Sequence, residues 1–144
     1  AFGRDIYKDG KLEAQKLAQR AFVGEADQSI LNDIVHPRVV EYFRQESEKL
    51  RDKYDLIVMD APLIFESGFD SRLDHTLLIY TKYKIRLERA LRRGNLSRED
   101  ILRRIDLQMP EEDKRDLAEF VIENNGTEEQ LQTAIEELYD RLTA

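Results

Sequence analysis

The chain of 144 residues has no cysteine, so disulfides, cysteine nucleophiles and thiolate metal sites are all excluded. That lack also fits a cytoplasmic protein. Histidine is scarce: His36 and His75 stand far apart, which argues against a histidine-based zinc site, and no metal-ligating residues are assigned. No apolar run approaches the roughly 20 residues of a membrane span. The first residues are polar and of mixed charge, unlike a signal peptide. Internal repeats, low-complexity runs and interdomain linkers are likewise missing.

What remains describes a soluble globular protein of one compact domain. Hydrophobic residues make up 41% and charged residues 37%, a balance that suits exposed helices around a core. The formal net charge of −7 argues against nucleic-acid binding by the surface as a whole. Within residues 84–104, however, eight basic residues face only three acidic ones. A concentrated cationic patch on an acidic protein suggests a phosphate ligand held at one place.

The chain is organised around Asp55 to Phe69. Leu56–Met59 is a short apolar run bounded by Asp55, Asp60 and Pro62, which reads as a buried strand. In α/β proteins ligands bind beyond the carboxyl ends of parallel strands, so Asp60 and Glu66 would stand at an active-site rim. Taken alone, Asp60 reads as readily as a solvated acid in an ordinary turn.

Around this stretch the pattern alternates. Leu12 to Phe22 reads as a helix with Leu12, Leu17 and Ala21 inward, followed by a helical piece from Ser29 to Val35. A further helix starts at Pro37 and runs past Leu50. Thr76–Tyr80 reads as a strand, Thr81 as the cap of a helix over Lys82–Arg93, and Gly94-Asn95 as its stop. Arg86, Arg89 and Arg93 fall on one face of that helix. Ser97 to Asp100 has capping-box spacing, with Ile101, Leu102, Ile105 and Met109 as an apolar stripe. Pro110 opens a helix, Glu119–Glu123 reads as a strand, Asn124-Asn-Gly126 as a turn, and Thr127 as the cap of a last helix with Leu131, Ile135 and Leu138 inward.

Asp60-Ala-Pro-Leu-Ile-Phe-Glu66 closely resembles the Asp-x-Pro-Leu-Leu-Phe-Glu signature of dephospho-coenzyme A kinases. The resemblance extends to Arg89, Arg93, Ser97, Glu99 and Arg104-Ile-Asp-Leu-Gln108, similar to that family's lid, and to Ala118-Glu-Phe-Val-Ile-Glu-Asn124. Phe2-Gly3, Asp9-Gly10, Leu31, Ile34 and His36-Pro37 are similar to its helical segment on the CoA side.

The resemblance implies an α/β P-loop kinase fold, nucleotide-kinase-like, with a three-layer parallel sheet. It implies a substrate segment over 2–54, core over 55–88 and 110–144, and a lid over 89–109. The implied reaction is phosphorylation of the ribose 3′-hydroxyl of dephospho-CoA by ATP with Mg2+, in the cytoplasm. Asp60, Arg89, Arg93 and Arg104 would be catalytic. His36, Arg38, Pro62, Phe65 and Glu66 would meet the acceptor substrate, and Asn124 and Gly126 the nucleotide. Arginines suit a lid because phosphoryl transfer spreads charge over oxygens that are clamped from several sides. For Arg89, Arg93 and Arg104 a solvated helix face is the plain alternative, as a locally bonded helix residue is for His36 and a structural turn for Asn124 and Gly126.

No glycine is followed by Lys-Ser or Lys-Thr, so the phosphate loop Gly-x₄-Gly-Lys-Ser/Thr is missing from these residues. The simplest account is the C-terminal part of a longer kinase, N-terminally truncated and inactive alone. In the family the first strand lies between the strands matched by Leu56–Met59 and Thr76–Tyr80. The sheet should therefore show a central gap with exposed edges, open to self-association. The alternatives are a kinase acting on another nucleotide or nucleoside, and a non-catalytic module binding CoA-like ligands or a partner.

Overall fold

The computed structural model describes residues 1–144, which fall into two compact units, Ala1–Tyr42 and Phe43–Ala144. In the first, Tyr7–Lys8 (β1) and Lys11–Leu12 (β2) form an antiparallel hairpin. Its turn is Asp9-Gly10, both with positive φ, the geometry of a two-residue hairpin turn. Ala14–Ala21 (α1) follows, with Ala21 buried, Leu17 half-buried and Leu12 exposed on β2 rather than facing inward from a helix. The Arg20 guanidinium ties this unit together by donating to the Asp5 carboxylate, with Nη1–Oδ1 at 2.8 Å, and to the Phe2 carbonyl. The Glu13 amide donates to the Ile6 carbonyl at 2.8 Å, closing the hairpin's base.

Glu25–Leu50 (α2) is one continuous helix with Pro37 inside it, not two pieces broken before Pro37. Proline forfeits a single i to i−4 bond, here the one to Asp33, and the remaining bonds of a 26-residue helix carry it across.

In the second unit, the end of α2 sets Phe43 edge-on against the buried Phe69 ring, with centroids 5.6 Å apart. Leu77–Tyr80 (β3) and Phe120–Glu123 (β4) pair in parallel, with Leu77 opposite Phe120 and Tyr80 opposite Glu123. Three helices lie between them in sequence: Tyr83–Arg93 (α3), Arg98–Asp106 (α4) and Glu111–Leu117 (α5). Glu128–Thr143 (α6) ends the unit. Helices and a small parallel sheet meet the expectation of an α/β fold.

Leu56–Met59 corrects the sequence reading: it forms no strand. A strand exists only where a neighbour satisfies its amides and carbonyls, and the sheet of this unit holds just β3 and β4. Val58 is 74% exposed, and on β3 Leu77 and Ile79 are exposed too, apolar side chains typical of an interior sheet left uncovered. The core is correspondingly small: Phe69, Tyr80, Ile101, Ile122 and Leu138 are its buried apolar residues in this unit.

Helix ends follow local chemistry. Ser97 Oγ accepts from the Asp100 amide, and its hydroxyl donates to the Asp100 carboxylate, a one-sided cap rather than a reciprocal box. Thr127 and Gln130 form the reciprocal capping box that opens α6. Gly94, in the left-handed region with φ 70, ends α3. Thr81 does not cap α3: its hydroxyl donates to the Asn124 carbonyl, and Lys82 occupies the cap position. On α6, Leu138 is buried and Leu131 half-buried, but Ile135 is exposed.

Candidate active site

The loop after β4 is the most heavily braced part of the site. The Asn124 amide continues the sheet ladder to the Tyr80 carbonyl at 2.7 Å. Arg89, projecting from α3, donates from Nη1 to the Asn124 carbonyl at 2.8 Å and from Nη2 to the Gly126 carbonyl at 3.2 Å. The Lys82 amide donates to Asn125 Oδ1 at 2.9 Å, and Asn125 Nδ2 donates to Glu123. A Cβ on Gly126 would meet Gln130 Oε1, so a larger residue there would displace that flexible side chain from the Thr127 amide it accepts from in the capping box. The structure thus brings Arg89, Asn124 and Gly126 together. Asn125, which the sequence reading passed over as a turn residue, links this loop to the start of α3.

A cleft of about 400 Å³ opens at the carboxyl end of β3, between Tyr80, Thr81 and Tyr83 on one side and Gln108, Pro110 and Glu111 on the other. Arg86 lines it and is paired with Glu111, Nη1 to Oε1 at 2.5 Å. The buried Tyr80 hydroxyl donates to Glu112 at 2.5 Å, and the Arg115 guanidinium lies over the Tyr80 ring at 5.0 Å. The hydrogen bond to Glu112, aided by burial, raises the Tyr80 pKa above its ordinary value.

The turn 62–68 is closed by amides of Ser67, Gly68 and Phe69 donating to the Leu63, Phe65 and Ile64 carbonyls. Phe65 is half-buried there, while Pro62 and Asp60 are exposed. Glu66 turns inward. Its Oε1 accepts from the Lys114 ammonium at 2.8 Å and from the Met109 amide at 3.0 Å. Lys114, with a side chain only 5% exposed, also donates to the Pro62 carbonyl at 3.1 Å. Arg93 sits exposed at the end of α3, and Arg104 is half-buried on α4. His36, half-buried, and Arg38, exposed, lie on α2 within the first unit.

A sequence model of the dephospho-CoA kinase family matches residues 1–130. The chain belongs to the dephospho-CoA kinase family. It is 41% identical to a dephospho-CoA kinase of Bacteroides fragilis over 124 residues, covering 86% of this chain and 60% of that protein. With the dephospho-CoA kinase of Listeria innocua it shares 37% over 136 residues, 93% of this chain and 68% of the relative. A crystal structure of a Thermus thermophilus protein superposes with a TM-score of 0.76 at 36% identity, covering 95% of this chain and 71% of that one. The Campylobacter jejuni dephospho-CoA kinase gives 0.64 at 25% identity, over 95% of this chain and 68% of that one. The chain thus spans about 60% of the length of its Bacteroides relative. No helix of it is long and apolar enough to cross a membrane.

Proposed function

We propose that this chain serves ATP-dependent phosphorylation of the ribose 3′-hydroxyl of dephospho-CoA, within the cytoplasm. The observation that carries this is the grip of Arg89 on the Asn124 and Gly126 carbonyls, which joins two family segments into one nucleotide-side edge. Residues 2–54 act as the acceptor segment, 55–88 and 110–144 as core, and 89–109 as lid. Arg93 and Arg104 reach the transferring phosphate, and Arg89 adds its charge while holding the loop. His36, Arg38, Pro62, Phe65 and Glu66 recognise dephospho-CoA. Asn124 and Gly126 shape the place of the nucleotide base. Asp60 orients the acceptor hydroxyl.

No three carboxylates or imidazoles gather to hold a metal ion, so a divalent cation would be held chiefly by phosphate oxygens, with the exposed Asp60 as a carboxylate partner through water. That donor set suits Mg2+, which when bound with ATP neutralises charge on the phosphates. These residues contain no phosphate loop, and backbone amides for the ATP phosphates must come from other sequence. The 144 residues alone are therefore expected to bind dephospho-CoA without turnover. The uncovered Leu77 and Ile79 on β3 favour self-association of the chain in that state.

Titration calorimetry with dephospho-CoA, CoA, AMP and simple nucleosides tests the proposal. Preference for dephospho-CoA is expected. Preference for a simple nucleoside would replace it with a kinase of another substrate, and absence of binding to any of them would overturn it.

A further inference from the structure

Lys114 stands out because an exposed-looking basic residue on the short, highly charged helix α5 is almost wholly buried. A buried ammonium is retained only where a counter-charge and hydrogen bonds compensate its lost hydration. Here the compensation comes from two places on one turn: the Glu66 carboxylate and the Pro62 carbonyl. The same Glu66 oxygen accepts the Met109 amide, in the link between α4 and α5. One ion pair therefore fastens both ends of the turn 62–66 and the root of residues 89–109.

We infer that Lys114 is a positioning residue that locks the acceptor-side turn to the base of the lid, so that the two move as one unit. The assignment of these segments as acceptor turn and lid rests on the function proposed above; the mechanical coupling itself does not. Loss of the ammonium would leave a buried carboxylate without its counter-charge, and the carboxylate would swing toward water. In doing so it would release the Met109 amide and the turn together. Glu66 Oε2 is buried without a hydrogen-bond partner, so all the hydrogen-bonded hold on this side chain passes through Oε1.

Amide hydrogen exchange on the 144-residue chain tests this without any need for turnover. In Lys114→Met, the Met109 amide and the Ser67, Gly68 and Phe69 amides are expected to exchange at least about tenfold faster, by similar factors. The Phe120 and Asn124 amides, bonded to Thr76 and Tyr80, should keep their rates and report that the sheet is intact. Lys114→Arg should restore part of the protection. Glu66→Gln, nearly isosteric and less disruptive, should accelerate both places by a smaller common factor, and it decides the matter where Lys114→Met fails to fold. Acceleration confined to the turn, or to Met109, in either variant would overturn the coupling.

A second arm adds dephospho-CoA. Slower Met109 exchange is expected in the parent chain and not in Lys114→Met. Dephospho-CoA that protects no amide in the parent chain would count against the proposed substrate, while the ligand-free rates would still decide the coupling.

Discussion

Arg89 and Asn124 are 35 residues apart in sequence, yet the Arg89 Nη1 hydrogen bond to the Asn124 carbonyl is 2.8 Å long, and the second arm of the same guanidinium holds Gly126. A guanidinium is suited to this: its donors are fixed in a plane and can grip two carbonyls at once. The loop after β4 is thus shaped by a residue from α3, with Thr81 and Lys82 closing the other side.

Arg89→Ala should therefore cost about 1.5–3 kcal/mol of stability, the range for hydrogen bonds to a charged group, as read by urea unfolding. Arg89→Lys keeps the charge but not the two-armed grip. It is expected to keep most of that stability while the Gly126 region gains mobility, seen as lost protection of the Thr127 and Gln130 amides. Equal loss in both variants would show that the two-armed geometry, and not the charge, carries the stability.

Arg104 carries a different expectation. In a protein competent for turnover, Arg104→Ala should lower the rate of phosphoryl transfer by on the order of 100-fold or more, with dephospho-CoA binding little changed, because a lid arginine acts on charge that develops in the transition state. Single-turnover kinetics beside equilibrium binding separates the two. Equal loss in both would make Arg104 a substrate-binding residue instead.

The parts of this fold that sequence made legible are those decided within a few residues. Ser97 and Thr127 as caps and Gly94 as a stop are such cases, since a helix end is complete once its own turn is formed; the partner Gln130 and the one-sided form of the Ser97 cap appear only in the structure. Leu56–Met59 has the composition of a strand, but a strand is a property of two segments, and its ladder is not in this sheet. Thr81 has the composition of a cap and spends its hydroxyl on Asn124 instead, a partner 43 residues away. The family motifs marked Glu66 but gave no sign that it faces inward onto Lys114. A lysine in Glu-Glu-Asp-Lys-Arg-Asp looks solvated until the opposing carboxylate is placed. Long-range pairings such as this one decide the site, and a single sequence does not display them.

The first unit has an acid-sensitive clasp. The hydrogen bond from Arg20, more than any other cause, holds the Asp5 carboxyl below its ordinary pKa of 3.8. A carboxyl depressed on folding lends stability that is complete above its unfolded pKa and fades as pH falls through the folded one. The hairpin and α1 should accordingly loosen below about pH 4. Protection factors for the Glu13 amide, bonded to Ile6, report it directly. Asp5→Asn should show weak protection already at neutral pH and little further change on acidification. Unchanged protection in that variant would remove the clasp from the account.

Tyr80 supplies the opposite, alkaline limb. Its hydroxyl donates to Glu112, and phenolate formation would both break that bond and set two negative charges together, which is why its pKa is raised above 10.0. A group whose pKa rises on folding adds stability that is complete below the unfolded pKa and is lost as pH climbs through the folded one. Unfolding midpoints in urea should therefore fall above about pH 10 more steeply in the parent chain than in Tyr80→Phe. Phenolate absorbance gives an independent reading: Tyr80→Phe should remove a late-ionising phenol from the parent chain's titration. The same substitution leaves the Arg115 guanidinium its aromatic face, so a change confined to the alkaline limb isolates the hydroxyl from the ring. Should the alkaline limb survive in Tyr80→Phe, the ionisation that unfolds the protein lies elsewhere, and the Tyr80–Glu112 bond is a packing contact without a titrating role.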